Sequence, residues 1–197
     1  MAKRYARKPI ADEASYQKKL DVTQTYFRPD FEVLEFGCGT GSTAILHAPK
    51  VNHIRATDAS SKMLEIARRK VETKGIENIT LEQVTIEDLE APDESFDVVM
   101  AHSILHLLED KEGAIAKAFK MLKPGGVFVT STVCLGDSVN WFRFIAAVGH
   151  FLGVLPLVKF FTAEELETAF TDAGFEIDYE WRPGPDKAVF MIGKKPG

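Results

Sequence analysis

Two hydrophobic periods alternate along the chain and predict strands separated by helices. Short apolar runs suited to buried strands fall at residues 33–36, 52–57, 79–84 and 95–100, and another follows the turn Lys123-Pro124-Gly125-Gly126 as far as residue 132. Between them apolar positions recur every three or four residues. Met63 and Leu64 open one such stretch, over 60–74; Ala114, Ile115, Ala118, Phe119 and Leu122 mark another, over 109–122. This alternation implies a parallel sheet with helices on both faces. An earlier segment, 11–27, carries Ala14, Leu20 and Val22 with Tyr16, Tyr26 and Phe27, and reads as a helix placed before the sheet. Thr162-Ala163-Glu164-Glu165 has capping-box spacing, so a last helix starts there and stops near Gly174. Two final strands, 175–181 and 187–193, are joined by Arg182-Pro183-Gly184-Pro185-Asp186.

The first apolar run collapses into glycine. Val33-Leu34-Glu35-Phe36 leads into Gly37-Cys38-Gly39-Thr40-Gly41, after which Ser42 and Thr43 open a helical pattern. Glycine serves where the chain takes positive φ or lets a ligand touch the main chain. The free N–H groups of a helix start attract electron-rich ligand atoms. A dinucleotide fingerprint spaces its glycines G-x-G-x-x-G; here the spacing is G-x-G-x-G, with Glu35 two positions ahead. That variant resembles the first motif of class I S-adenosylmethionine-dependent methyltransferases. The resemblance continues through Asp58 after the second run, Phe96-Asp97 in the fourth, and Leu122-Lys123-Pro124-Gly125-Gly126 before the fifth, covering about residues 30–132.

The resemblance implies a single α/β domain over 1–197: a Rossmann-like, doubly wound sheet of seven strands, mostly parallel, with an antiparallel strand from the C-terminal hairpin. It implies S-adenosylmethionine as cofactor and S-adenosylhomocysteine as product. In the family the loop holding Gly37, Cys38, Gly39 and Gly41, with Glu35 before it, packs against the amino-acid and ribose parts. The carboxylate at Asp58, followed by Ala59, grips the ribose hydroxyls. Met63 reads equally as a wall of the adenine pocket or as core. Thr85 and Ile86 stand where the family often has an acidic and a small residue beside adenine. A threonine hydroxyl accepts there without charge assistance, and Glu87 or Asp88 could substitute. The N-terminal segment 1–28, with Tyr16, would cover the cofactor.

After the fourth strand, Ala101-His102-Ser103-Ile104-Leu105-His106-Leu107-Leu108 lacks an N/D-P-P-Y motif and resembles the pattern of small-molecule methyltransferases, including those of quinone biosynthesis. His102 could pack on the cofactor or act as a base, and His106 could do the same; the alternative for both is a hydrogen-bonded structural histidine, the favoured use of His106. His150 is a third candidate base. The apolar segment 137–161 follows the fifth strand, on the rim where open α/β sheets bind ligands. It is expected to form a helical substrate cap, with Trp141, Phe142, Phe144, Phe151 and Leu152 lining an apolar pocket. Packing as core, or as a homodimer interface, is the competing use of that segment. Its uninterrupted part, 144–158, holds His150 and Pro156 and is shorter than the roughly 18–20 residues of a membrane span.

Composition narrows the partners. Lys and Arg number 24 against 29 Asp and Glu, a net charge of −5, which argues against a nucleic-acid surface. The Lys3-Arg4-Arg7-Lys8 cluster is expected to be a solvated arm, because no apolar stretch of a secretory signal follows it. Two cysteines, Cys38 and Cys134, make neither a disulfide framework nor a thiol metal site, and a cytoplasmic setting is expected. No carboxylate cluster suggests a metal. The expected reaction is in-line methyl transfer to a small apolar acceptor. A non-catalytic protein binding S-adenosylmethionine is one alternative. An NAD-dependent oxidoreductase is another, since Asp58 could hold an NAD ribose, but the absent third glycine and Pro124-Gly125-Gly126 weigh against it.

Overall fold

The structure, a computed structural model, describes residues 12–137, 158–184 and 187–197. Seven strands, β1 (Glu32–Phe36), β2 (His53–Thr57), β3 (Ile79–Glu82), β4 (Phe96–His102), β5 (Leu122–Thr132), β6 (Glu176–Trp181) and β7 (Val189–Lys194), form one sheet in the order β3-β2-β1-β4-β5-β7-β6. The pairs among β1 to β5 are parallel, and β7 lies antiparallel between β5 and β6. Chain direction across the sheet reverses between β1 and β4, the kind of switch point beside which such sheets bind ligands at their carboxyl ends.

Five described helices cover the two faces: α1 (Glu13–Gln24), α2 (Ser42–His47), α3 (Ser61–Thr73), α4 (Lys111–Met121) and α5 (Ala163–Asp172). Alternate strand residues divide between them, as a period of two requires. Val33, Val98, Val129 and Phe190 join Ala44 of α2 and Leu64 of α3. Their neighbours Leu34, Val99, Phe128 and Met191 join Ile115 of α4 and Leu166 of α5. The second face is organised around Phe128, stacked at 5.0 Å on Phe170 and at 6.0 Å on Phe36, with Phe175 at 5.8 Å. The capping box on α5 forms as its spacing predicts: Thr162 Oγ accepts from Glu165 N–H, and the Glu165 carboxylate accepts from Thr162 N–H.

Two boundaries differ from the sequence expectation. The Lys123-Pro124-Gly125-Gly126 turn lies inside β5 as a bulge, so Phe96 and Val98 of β4 pair with Leu122 and Val127. Gly125 takes φ 77° there, and the bulge is fixed by Lys195 through Gly125 N–H to Lys195 O (3.0 Å) and Lys195 N–H to Gly126 O (2.9 Å). Strand β3 ends at Glu82, two residues early, as Val84 packs against the core. The last residue of the expected cap segment, at 161, is among the described residues. Phe161 is a core residue, 3% exposed, whose ring carries the Lys111 ammonium at 5.0 Å. Gly136 N–H donates to Phe161 O at 2.9 Å, and a Cβ at Gly136 would lie 2.6 Å from Phe161 C, so the two ends of the intervening segment meet backbone to backbone. Trp141, Phe142, Phe144, His150, Phe151 and Leu152 lie outside the described residues.

Truncating the centre of the aromatic stack tests this packing. Phe128→Ala is expected to cost about 3–5 kcal/mol in urea unfolding. A loss below about 1 kcal/mol would show that the stack is not the packing centre.

Candidate functional site

The reversal between β1 and α2 is built from left-handed glycines: Gly37, Gly39 and Gly41 have φ 68°, 55° and 68°. Their roles divide by what a side chain would meet. A Cβ on Gly37 would fall 2.7 Å from Ile104, and one on Gly41 would fall 3.1 Å from Ala67, so these two let neighbouring elements close in. Gly39 has no atom within 4 Å of that position, which leaves open room beside the loop. Added bulk would project into open space at Gly39, whereas at Gly37 it would strike Ile104.

Asp58 follows β2 and closes on the same loop. Its carboxylate accepts from Gly39 N–H and Ser60 N–H, both at 2.8 Å, which orients it toward the glycines and leaves further lone pairs unused. Cys38 N–H donates to Thr57 O at 2.9 Å and ties the loop to β2. The Cys38 thiol is buried with Val33, Ala44 and Leu64, and burial pushes its pKa up. Its share in the cradle is consequently its main chain.

Glu35 is buried at 2% exposure on the α2 face. Gly41 gives α2 no side-chain cap, and the Glu35 carboxylate accepts instead from Ala44 N–H in the helix's first turn. Its Oε2 has no hydrogen-bond partner among the described residues. Burial raises this carboxyl to about 8, the charge of Asp58 adds to the rise, and the Ala44 N–H opposes it. Tyr16 of α1 stands above, half-buried, with its hydroxyl 3.5 Å from Thr43 Oγ1. Desolvation, and more weakly Glu35, raise the Tyr16 pKa.

The residues expected near adenine are less open. Thr85 Oγ1 donates to Asp88 at 3.0 Å and accepts from Asp88 N–H at 3.2 Å, a local turn that occupies both partners. Ile86 is 4% exposed in the core, so only its main chain can serve a ligand. Glu87 is exposed, Ala59 is exposed, and Met63 is half-buried on the first turn of α3.

At the end of β4, His102 is followed by Ser103 at φ 56°, whose N–H donates to Ser131 O at 2.7 Å. His102 Nε2 is shielded from solvent and has no partner among the described residues. Burial, aided by the charge of Lys19, lowers this imidazole to about 4, so it is neutral at physiological pH. His106 is engaged differently: its Nδ1 lies 3.2 Å from Thr132 Oγ1, and its carbonyl accepts from Lys159 N–H at 2.8 Å. The sequence reading missed two residues here, Lys19 and Ser131, whose side chains meet at 2.7 Å. The available signal was that Lys19 follows Tyr16 by three on one helix. No metal-holding cluster of three or more His, Cys, Asp or Glu exists among the described residues.

Comparison with known proteins bears on family and fold. The profile of the family described as "Methyltransferase domain" matches residues 33–126. The chain is 31% identical over 191 residues to demethylmenaquinone methyltransferase of Symbiobacterium thermophilum, covering 81% of this chain and 74% of that one. It is 34% identical over 102 residues to the uncharacterized methyltransferase YcgJ of Bacillus subtilis, covering 52% of this chain but only 40% of that relative. An S-adenosylmethionine-dependent methyltransferase from Mesorhizobium loti shares the fold, with TM-score 0.76 over 93% of this chain and 99% of that one, at 20% identity.

The Glu35 carboxyl gives a pH test. Its folded value of about 8 exceeds the ordinary 4.5, so its contribution to stability is full below about pH 4.5 and is lost as pH rises toward 8. Glu35→Gln is expected to remove that decline when urea unfolding is compared at pH 5, 6.5 and 8. The lowered histidines, His47 and His102, oppose it on the acid side in both proteins and cancel in the difference. Parallel profiles would mean that Glu35 is ionised and paired.

Proposed function

Because the chain belongs to the class I S-adenosylmethionine-dependent methyltransferase family, we propose that it catalyses methyl transfer from this cofactor to a small, apolar acceptor. The observation that carries the proposal is the open cradle at Gly39 with the Asp58 carboxylate fixed against it, at the carboxyl ends of β1 and β2. The residues fit the cofactor: a ribose supplies hydroxyl donors for the unused lone pairs of Asp58, and the buried, unpartnered Glu35 oxygen suits a cationic ligand. When bound, S-adenosylmethionine supplies an electrophilic methyl group and leaves as S-adenosylhomocysteine.

In-line displacement asks the protein mainly to orient the reactants and exclude water. Glu35, Gly37, Cys38, Gly39, Gly41 and Asp58 would hold the cofactor, with Thr85, Ile86 and Glu87 toward its adenine end and Tyr16 of α1 above it. His102 would receive the proton of an acceptor that must lose one. His106 would brace β5 against the residues after 158, as its two hydrogen bonds support. The apolar acceptor rests on the sequence of 138–157, whose flanking ends are joined beside this rim. No described helix is long and apolar enough to cross a membrane. A cytoplasmic setting belongs to the same proposal.

Calorimetric titration with S-adenosylhomocysteine, against NAD as control, tests the cofactor. Saturable binding of the former alone is expected. Removing Asp58 deletes charge-assisted hydrogen bonds worth about 1.5–3 kcal/mol, so Asp58→Ala is expected to weaken binding at least tenfold, and Gly39→Arg to abolish it. Unchanged affinity in both variants would overturn the site.

A further inference from the structure

Lys19 lies on the covering helix α1 and reaches across the carboxyl edge to donate to Ser131 Oγ of β5 at 2.7 Å. Ser131 is the register partner of His102 on β4, so the Lys19 ammonium reaches a rung that carries one neutral imidazole and one hydroxyl. Lys19 is half-buried, and among the described residues no carboxylate forms an ion pair with it. Asp12 acts on it electrostatically but is committed to the helix cap, accepting from Ser15 N–H at 3.0 Å and Ser15 Oγ at 2.7 Å. Desolvation lowers the Lys19 pKa in consequence. A partly buried cation without a counter-charge is costly, and a complementary anion arriving at that point recovers the cost.

The sheet order says which ligand part arrives. Asp58 marks the end of β2 and the glycine cradle the end of β1, while Ser131 sits on β5, two strands beyond β1 and about 10 Å away at the usual strand spacing. The cradle holds the cofactor on the β1–β2 side. The β4–β5 side is left for the acceptor.

We propose that Lys19 is a specificity-determining residue that binds an anionic oxygen of the methyl acceptor, either a carboxylate or an ionising aromatic hydroxyl, beside His102 and Ser131. The inference rests on the methyl-transfer reading and adds the charge of the substrate to it. The oxyanion held at Lys19 would set the acceptor's register against the reacting methyl.

The test uses full-length protein saturated with S-adenosylhomocysteine and three matched probes, 2-naphthoate, 2-naphthol and 2-methoxynaphthalene, titrated calorimetrically. The naphthoate or the naphthol is expected to bind at least tenfold more tightly than the neutral ether, and which of them does so identifies the oxyanion. Lys19→Met is expected to shrink that margin below twofold while S-adenosylhomocysteine affinity changes less than threefold, which also shows the variant to be folded. Lys19→Arg is expected to keep most of the margin. Equal binding, or no binding, of the three probes to the wild-type complex overturns the inference. A tenfold loss of S-adenosylhomocysteine affinity in Lys19→Met does so too, by giving the oxyanion to the cofactor's own carboxylate. Failure of the wild-type protein to bind S-adenosylhomocysteine at all would instead remove the methyl-transfer reading beneath it.

Discussion

Five residues separate the end of β1 from the start of α2, and three of them take φ values that L side chains rarely adopt. A turn this tight exposes main-chain donors, and the chain answers with acceptors from elsewhere: Thr57 O for Cys38, the Asp58 carboxylate for Gly39, and the Glu35 carboxylate for Ala44. Two carboxyl groups consequently converge on one cradle. Burial drives the Glu35 pKa upward, and the neighbouring Asp58 charge adds to the rise. The electrostatics of the site follow from the backbone problem of making the turn.

The same turn fixes how the carboxyl edge is shared. With Gly37 closed against Ile104 and Gly41 against Ala67, the loop is clamped between the segment after β4 and helix α3, and free room remains at Gly39. Helix α1 then spans the edge, Tyr16 reaching Thr43 beyond β1 and Lys19 reaching Ser131 on β5. A cavity of about 410 Å³ lies at the other rim, among Tyr26, Arg28, Asp97, Gly125 and Lys194. There Asp97 is occupied by Lys123 and by Glu32 N–H, both at 2.8 Å. That rim is the amino end of β4, where the topology of an open α/β sheet offers no switch-point crevice.

What could be read from the sequence was local. Alternate glycines, a carboxylate ending a strand, a capping box and helical periodicity are each set by neighbours in the chain, and each appears in the structure at the expected residues. Contacts between distant residues were not legible. Lys19 and Ser131 are separated by 112 positions, and nothing near either announces the other. The inward turn of Cys38 and Ile86 was hidden for a related reason. A motif specifies where the main chain must go, while the direction of a side chain depends on which helix packs beneath it.

Lys19 and the neutral His102 bear on the chemistry together. His102 near 4 is a weak base, and an ordinary aromatic hydroxyl near 10 stands about six units above it, a gap of about 8 kcal/mol for the proton transfer. Raising the His102 pKa would narrow that gap, yet burial, aided by the neighbouring Lys19 charge, lowers it. The arrangement makes chemical sense when the ammonium acts on the acceptor: stabilising the developing oxyanion lowers the hydroxyl's pKa toward that of the base and leaves the nucleophile charged as the methyl approaches. A cation that weakens its neighbouring base is unhelpful in isolation and useful where the same cation holds the conjugate anion of the substrate.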